Sequence, residues 1–243
     1  MSDYQQHQDV STGSLSRARE IDQGLRAYMM QVYNYMMAGV ALTGVVAYGV
    51  FHMATTNPAF GQLMYNSPLK WVLMFAPLGM VFFLSARMHK MSFSGAQIAF
   101  WIFAALMGAS LSWIFLRYGG TSITRVFFIS AAAFGALSVY GYVTKKDLSG
   151  WGTFLFMGLI GIIIASIVNI FIASSALQFA VSVIGVLIFA GLTAYDTQRI
   201  KEAYYVGHGA ETLGKLAIMG ALSLYLDFIN LFMSLLSIFG SSD

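Results

Sequence analysis

The sequence predicts an all-α integral membrane protein, a bundle of seven transmembrane helices with the last helix at its centre. Of its 243 residues, 58% are hydrophobic and only 9% are charged, whereas soluble domains carry roughly a quarter of charged residues. Seven apolar runs are each long enough to cross about 30 Å of hydrocarbon. They lack the alternation of apolar and polar residues that a membrane barrel needs. Because backbone groups in lipid must bond within their own segment, these runs are predicted to be helices.

The predicted spans are, in chain order, residues 28–51, 71–87, 95–116, 126–144, 151–172, 177–196 and 215–239. The second span is the shortest, and its Pro77 and Gly79 indicate a kink or a partial span. Residues 1–26 are polar and are predicted to form a mobile cytoplasmic tail, with a membrane-surface helix near 17–26 as the alternative. A cleaved secretory signal is not expected, because no short apolar run with a cleavage site follows a basic start. The domains are therefore this tail and a seven-helix membrane domain over 27–243.

Lysine and arginine residues predict the orientation of the chain. If the N-terminus is cytoplasmic, ten of the 13 basic residues lie inside, and the other three are Lys70, Arg117 and Arg125. An excess of basic residues in cytoplasmic loops is the general rule, so the N-terminus is predicted to be cytoplasmic. Seven spans then place the C-terminus outside. The short loops and the polar tail are typical of a protein of the bacterial inner membrane.

Asp227, in the stretch LYLDFINLF, is the only carboxylate well inside a predicted span. It lies about twelve residues into the last helix, near mid-depth at a rise of 1.5 Å per residue. A charge at that depth costs a few kcal/mol unless it has a partner. Glycine, serine or asparagine would pack there without that cost. We therefore interpret Asp227 as a functional residue.

A stripe of small and polar residues surrounds Asp227 at alternating spacings of three and four. Its other members are Gly220, Ser223, Asn230, Ser234 and Ser237. Such a stripe must face other helices or a water-filled cavity rather than lipid, which predicts that the last helix is central. Packing alone explains the serines of the stripe.

Asp196 ends the sixth span, on the side of the membrane where the last helix begins. If it approached Asp227, the two carboxylates would tend to share a proton, because both cannot ionise cheaply. With a cytoplasmic N-terminus, Arg87 in LSARMHK lies in the same membrane half and would favour the charged form. An alternative remains open, in which Asp196 faces water and pairs with Arg199 one turn further on.

Several classes of function are not expected. The chain has no cysteine, no glycine-rich phosphate loop, no HExxH and no GxSxG, so neither an enzyme nor a bound cofactor is predicted. His208 has no second histidine at ligand spacing, which disfavours a transition-metal site. Asp147 precedes a span and is explained by helix capping. Basic residues are too few and too scattered for nucleic-acid binding.

Three stretches of the chain resemble the Bax inhibitor-1 family, also called the transmembrane Bax inhibitor motif proteins. They are SVYGYVTKKDLSGWGTFLFMGLIG at 138–161, GLTAYDTQRIK at 191–201 and ALSLYLDFINLFMSLLSIFG at 221–240. The resemblance extends over nearly the whole chain beyond the tail, including QVYNYM at 31–36, and the short loops indicate a bacterial member. It implies a seven-helix bundle with a central last helix.

The resemblance also implies a function. Family members carry an aspartate pair on the sixth and seventh spans, a proton-sensitive element in a calcium-leak pathway, and Asp196 and Asp227 match it by motif. The resemblance further implies an arginine on the second span that latches onto the pair, and Arg87 matches that residue by position. Some members have an acidic residue within the second span, but residues 71–86 contain none.

The hypothesis is a pH-regulated calcium leak channel in which Asp196 and Asp227 sense pH and bind calcium weakly. Ser223 and Asn230 would support the pair, and Arg87 would stabilise the closed state. Two carboxylates and water make only a weak calcium site, which suits permeation. One alternative is an interaction protein that modulates a membrane-bound quality-control protease through its tail, and another is a proton-coupled transporter of a small solute. Deletion of the tail would separate the first alternative from a channel, and substrate competition would separate the second.

Overall fold

The structure is a computed structural model that describes the backbone of residues 2–241 and the side chains of residues 21–88 and 90–241. Over the described backbone the protein is helical and contains no strand. The helices are α1 (Ser2–Thr56), α2 (Pro58–Gly61), α3 (Leu69–Arg87), α4 (Phe93–Leu111), α5 (Ile114–Arg117), α6 (Gly120–Val143), α7 (Ser149–Ile172), α8 (Ser175–Glu202) and α9 (Ala210–Phe239). A π-helical turn precedes α3 and a 3₁₀ turn follows it.

Within the described residues, seven segments are long and apolar enough to cross a membrane. They are Ile21–Thr56 of α1, the whole of α3, Phe93–Arg117 formed by α4 and α5, and the helices α6, α7, α8 and α9. Each coincides with a predicted span, which confirms the fold class. The second span is a 19-residue helix that continues through Pro77. At 1.5 Å per residue it is about 28 Å long, and its 19 residues lie within the range of about 17–25 that membrane-spanning helices have.

The first helix starts far before the predicted first span. Its backbone is helical from Ser2, and the apolar part that could cross a membrane begins at Ile21. The side chains of residues 1–20 lie outside the described part of the chain. The division into a tail over 1–26 and a membrane domain therefore stays a prediction.

Helix α9 lies at the centre of the bundle. In its most apolar segment 67% of the residues are buried, whereas the other six spans range from 6% to 39%. It packs against α8, α1, α6 and α4. The prediction of a central last helix is confirmed. Helix α7 is the opposite case, since only 6% of its apolar segment is buried and it packs mainly on α8.

Hydrogen bonds between helices fix this arrangement, because lipid supplies no hydrophobic force that would drive helices together. The Thr43 hydroxyl donates to the backbone oxygen of Ala104 at 2.8 Å and lies 2.6 Å from the Tyr225 hydroxyl. Since Thr43 has a single hydroxyl proton, Tyr225 must donate to Thr43. Thr43 and Tyr225 are both buried. This chain of bonds joins α1, α4 and α9 inside the bundle.

A second hydroxyl chain joins α1, α6 and α8. The Tyr33 hydroxyl lies 2.6 Å from Ser138 Oγ, which lies 3.0 Å from Thr197 Oγ1. Close to this chain, Gly141 of α6 touches the backbone of Ala194 on α8, and a Cβ atom at position 141 would collide with the Ala194 carbonyl oxygen. A glycine is therefore required where α6 and α8 approach each other.

Candidate functional site

A cavity of about 540 Å³ lies between α7, α8 and α9. Its polar lining includes Asp196 and Arg199 from α8 and Ser223, Asp227 and Asn230 from α9. Helix α7 closes the cavity with a wall that is largely apolar. The two predicted carboxylates and both predicted supporting residues therefore share one cavity.

Helical periodicity explains why these side chains converge. Asp196 and Arg199 are three residues apart, and the three polar residues of α9 are separated by four and three, so each set lies on one face of its helix. The remaining stripe residues of α9 also face α8. The Ser237 hydroxyl accepts a hydrogen bond from Ser182 at 2.9 Å, and a Cβ atom at Gly185 would lie 2.7 Å from Ser234 Oγ.

Asp227 is the most deeply placed ionisable side chain of this cavity. It is 5% exposed, and its Oδ2 atom has no hydrogen-bond partner among the described residues. Among the same residues it forms no ion pair. The amide nitrogen of Asn230 does not bind Asp227. It donates instead to the backbone oxygen of Leu226 at 2.8 Å. The carboxylate therefore has free acceptor capacity that a proton, a water molecule or a cation could use.

Asp196 is partly buried at the edge of the same cavity. Its charge and that of Asp227 interact repulsively when both are ionised. The cation that acts on Asp196 is the guanidinium of Arg199, which is exposed and forms no ion pair with it. The sequence left two predictions open for Asp196, a pair with Asp227 and a pair with Arg199. In the structure Asp196 shares the cavity with both residues.

Arg87 is not part of this cavity. It is the last residue of α3, its side chain is exposed, and it does not line the cavity. Helix α3 packs mainly against α4 and is not packed against α8 or α9. The expected contact between Arg87 and the aspartate pair is therefore not formed in this structure. Its role as a latch stays a prediction, and the arginine that lines the cavity and acts on Asp196 is Arg199.

Gln198 is a residue of this region that the sequence did not single out. It is 5% exposed, its Oε1 atom accepts the amide hydrogen of Leu148 at 2.7 Å, and its Nε2 atom donates to the Lys146 carbonyl at 2.8 Å. These two bonds tie the α6–α7 loop to α8. They hold the beginning of α7, where Gly152 and Thr153 form part of the cavity wall. Gln198 stands in the largely polar stretch 196–201 at the end of α8, so nothing in the sequence distinguished it from its polar neighbours.

The beginning of α7 is set by two further contacts. The Asp147 carboxylate accepts the amide hydrogen of Ser149, the first residue of α7, at 2.8 Å. The N-cap residue is Leu148, without a side-chain cap, so Asp147 closes a turn just before the helix and does not cap it as predicted. Hydrogen bonds from the side chain and the backbone of Ser149 lower the pKa of Asp147. A Cβ atom at Gly152 would lie 2.6 Å from the ring of Tyr195, so a glycine allows α7 to pack beside Asp196.

The cavity offers oxygen ligands of the kind that calcium prefers. These are the carboxylates of Asp196 and Asp227, the hydroxyl of Ser223 and the amide oxygen of Asn230. Calcium normally takes six to eight oxygen ligands, so water would have to supply the rest. In the described part of the chain no three His, Asp or Glu side chains converge. The arrangement suits a weakly held, partly hydrated cation.

Sequence comparisons relate the chain to bacterial membrane proteins. The sequence model of the family described as "Inhibitor of apoptosis-promoting Bax1" matches residues 25–243. The chain is 48% identical over 226 residues to the uncharacterized protein RP147 of Rickettsia prowazekii, covering 93% of this chain and 94% of the relative. It is 46% identical over 224 residues to the inner membrane protein YbhL of Escherichia coli, covering 90% and 93%. An uncharacterized membrane protein of Streptococcus pyogenes is 40% identical over 223 residues, covering 91% and 96%.

Proposed function

The chain belongs to the Bax inhibitor-1 family, and on this basis we propose that it is a pH-sensitive calcium leak channel gated by Asp196 and Asp227. The observation that carries the proposal is the cavity between α7, α8 and α9, which both carboxylates line and in which the Oδ2 atom of Asp227 has no hydrogen-bond partner among the described residues. A buried carboxylate without a partner costs several kcal/mol when it is charged. Binding a cation or a proton relieves that cost.

The same carboxylates make the site sensitive to pH. Metal ligands must be deprotonated, so protons and calcium compete for Asp196 and Asp227. Arg199 adds a third charge near the pair. Its guanidinium attracts the carboxylate of Asp196. The occupancy of the site by calcium therefore depends on how many protons the two aspartates hold.

Calcium flux into proteoliposomes across a pH series tests this proposal. Asp227→Asn removes the buried charge while it keeps the shape of the side chain, so we expect altered flux and a flattened pH profile. Glu202→Gln is the matched control, because Glu202 is exposed, lies outside the cavity and forms no ion pair among the described residues. The proposal fails if Asp227→Asn conducts with the same pH profile as Glu202→Gln and the wild type.

The same flux assay distinguishes the role of Arg199 from that of Arg87. Arg199→Gln should shift the pH profile, because it removes the cation that acts on Asp196. Arg87→Gln should shift it only if Arg87 contacts the pair in another state of the protein. If the pH profile shifts with Arg87→Gln and not with Arg199→Gln, Arg87 is the arginine that acts on the aspartate pair. That result would contradict the assignment to Arg199.

We further propose that the protein lies in the bacterial inner membrane with a cytoplasmic N-terminus. The excess of basic residues on one side supports this orientation, and the E. coli relative is named an inner membrane protein. The chain contains no cysteine, so a single introduced cysteine reports its own position. In intact cells an impermeant thiol reagent should label Gln62→Cys and not Lys90→Cys. The reverse pattern would invert the orientation.

A further inference from the structure

A large groove, separate from the aspartate cavity, lies between α1 and α6. Its volume is about 720 Å³, and Phe228 of α9 contributes to its lining. Pockets that bind small molecules measure about 300–1,000 Å³. Nearly all of the groove's lining side chains are apolar, and none of its lining residues belongs to the aspartate cavity.

The groove runs along the membrane-spanning part of both helices. On α1 its lining residues extend from Arg26 to Ala41, a distance of about 22 Å at 1.5 Å per residue. One leaflet of hydrocarbon is about 15 Å thick, so the groove is longer than one leaflet. Its outer rim is open, since Met30, Met37 and Val139 are 63%, 57% and 61% exposed. In a membrane such a rim faces the acyl chains of the surrounding lipid.

The two walls of the groove are joined at one point, where the Tyr33 hydroxyl of α1 lies 2.6 Å from Ser138 Oγ of α6. At this level side chains bridge the space between the two helices. An α-helix, which is about 10–12 Å wide with its side chains, cannot lie between α1 and α6 where this bridge crosses. The shape therefore suits a single extended hydrocarbon chain.

Among the groove's side chains that the structure describes, only those at one end are charged. Arg26 lines that end, is exposed, and pairs with Asp22 at 3.2 Å. Nearby, Lys201 Nζ donates to the carbonyl of Tyr142 at 2.8 Å and lies 5.7 Å from the centre of its ring. Lys145 and Lys146 follow α6 directly and are exposed. At the other end the groove ends at apolar residues of α1 and α6.

We propose that this groove binds one phospholipid, with an acyl chain along its apolar length and an anionic headgroup at Arg26 and Lys201. The phosphate of an anionic headgroup competes with Asp22 for Arg26, since arginine binds phosphate through paired hydrogen bonds. Lipid surrounds the groove at all times. A lipid bound in the groove is therefore distinguished from bulk lipid by two properties, a preference for one headgroup and a longer residence time. This inference is independent of ion conduction.

The structure supplies variants that fill the groove without a clash. A Cβ atom at Gly135 meets no heavy atom within 4 Å, so Gly135→Leu projects into free space in the groove. Gly161 on α7 is equally free of neighbours and lies outside the groove, which makes Gly161→Leu the matched control. Ala41→Phe fills the groove from the opposite wall. Arg26→Gln removes the charge at its end, and Lys90→Gln removes an exposed charge elsewhere.

Native mass spectrometry of the full-length protein measures lipid that stays bound after detergent removal. The probes are phosphatidylglycerol and phosphatidylcholine with identical acyl chains. The wild type, Gly161→Leu and Lys90→Gln should retain one lipid and prefer phosphatidylglycerol. Gly135→Leu and Ala41→Phe should lose both lipids. Arg26→Gln should retain lipid but lose roughly fivefold of its preference, which corresponds to about 1 kcal/mol per basic residue at a membrane surface.

Thermal unfolding midpoints identify variants that fold, and one folded groove variant is sufficient for the test. If a folded Gly135→Leu or Ala41→Phe protein retains lipid as Gly161→Leu does, the lipid is not in the groove and the proposal is overturned. It is also overturned if Arg26→Gln and Lys90→Gln show the same headgroup preference.

Discussion

The bonds of Gln198 give the sharpest test of how the wall of the aspartate cavity is held. Gln198→Leu keeps the size of the side chain and removes both of its hydrogen bonds to the α6–α7 loop. The amide of Leu148 is then left without a partner, and Leu148 is only 6% exposed. A buried donor without a partner costs about 1–3 kcal/mol. The Lys146 carbonyl belongs to an exposed residue and can bind water instead. Losing its hydrogen bond to Gln198 therefore costs only the ordinary net contribution of a hydrogen bond, about 0.5–1.5 kcal/mol.

Together these losses lower the free energy of unfolding by about 1.5–4.5 kcal/mol. A chain of this size loses about 2–4 °C of its unfolding midpoint per kcal/mol, so we expect a decrease of roughly 3–18 °C in detergent. Gln62→Leu is the control, because Gln62 is exposed and should change the free energy by at most about 0.5 kcal/mol.

Hydrogen exchange shows whether the loss occurs at the loop. The Leu148 amide should exchange slowly in the wild type and rapidly in Gln198→Leu. In Gln198→Glu it should remain slow, because a carboxylate still accepts its hydrogen bond while the bond to Lys146 is lost. If Gln198→Leu unfolds like Gln62→Leu and its Leu148 amide stays protected, the two bonds do not hold the loop and the reasoning is refuted.

Two further predictions concern α6 and the start of α7. Gly141→Ala should destabilise the protein by about 1–3 kcal/mol, because its Cβ atom collides with the Ala194 carbonyl oxygen. In Gly135→Ala, on the same helix, the added Cβ atom meets free space, so this variant should be neutral or stabilising by up to about 1 kcal/mol. Thermal unfolding measures both variants. Equal effects of the two would contradict the packing of α6 on α8. In carboxyl NMR Asp147 should titrate below its usual range, and Ser149→Ala should raise the pKa by removing a side-chain hydrogen bond. Because the pKa is lowered in the folded state, the contact stabilises the fold at pH values above the ordinary pKa of an aspartate. This stabilisation is lost as the pH falls through the lowered pKa. If Asp147 titrates in its usual range in both proteins, the contact is not formed.

The sequence by itself determined the class of fold. Apolar runs of sufficient length admit only helices in lipid, since every backbone group must bond within its own segment. The polar stripe around Asp227 determined that the last helix is central, because such a face cannot be exposed to lipid. Both conclusions depend on periodicity along one helix, and periodicity is a property of the sequence alone.

The tertiary structure decided which residues from different helices meet. It places Arg199 rather than Arg87 beside the aspartate pair, and it shows Gln198 bound to a loop some fifty residues earlier in the chain. It also shows the groove between α1 and α6. These contacts depend on how each helix is rotated and which helices are neighbours. Packing between helices fixes both quantities, and the pattern within any single segment leaves them open.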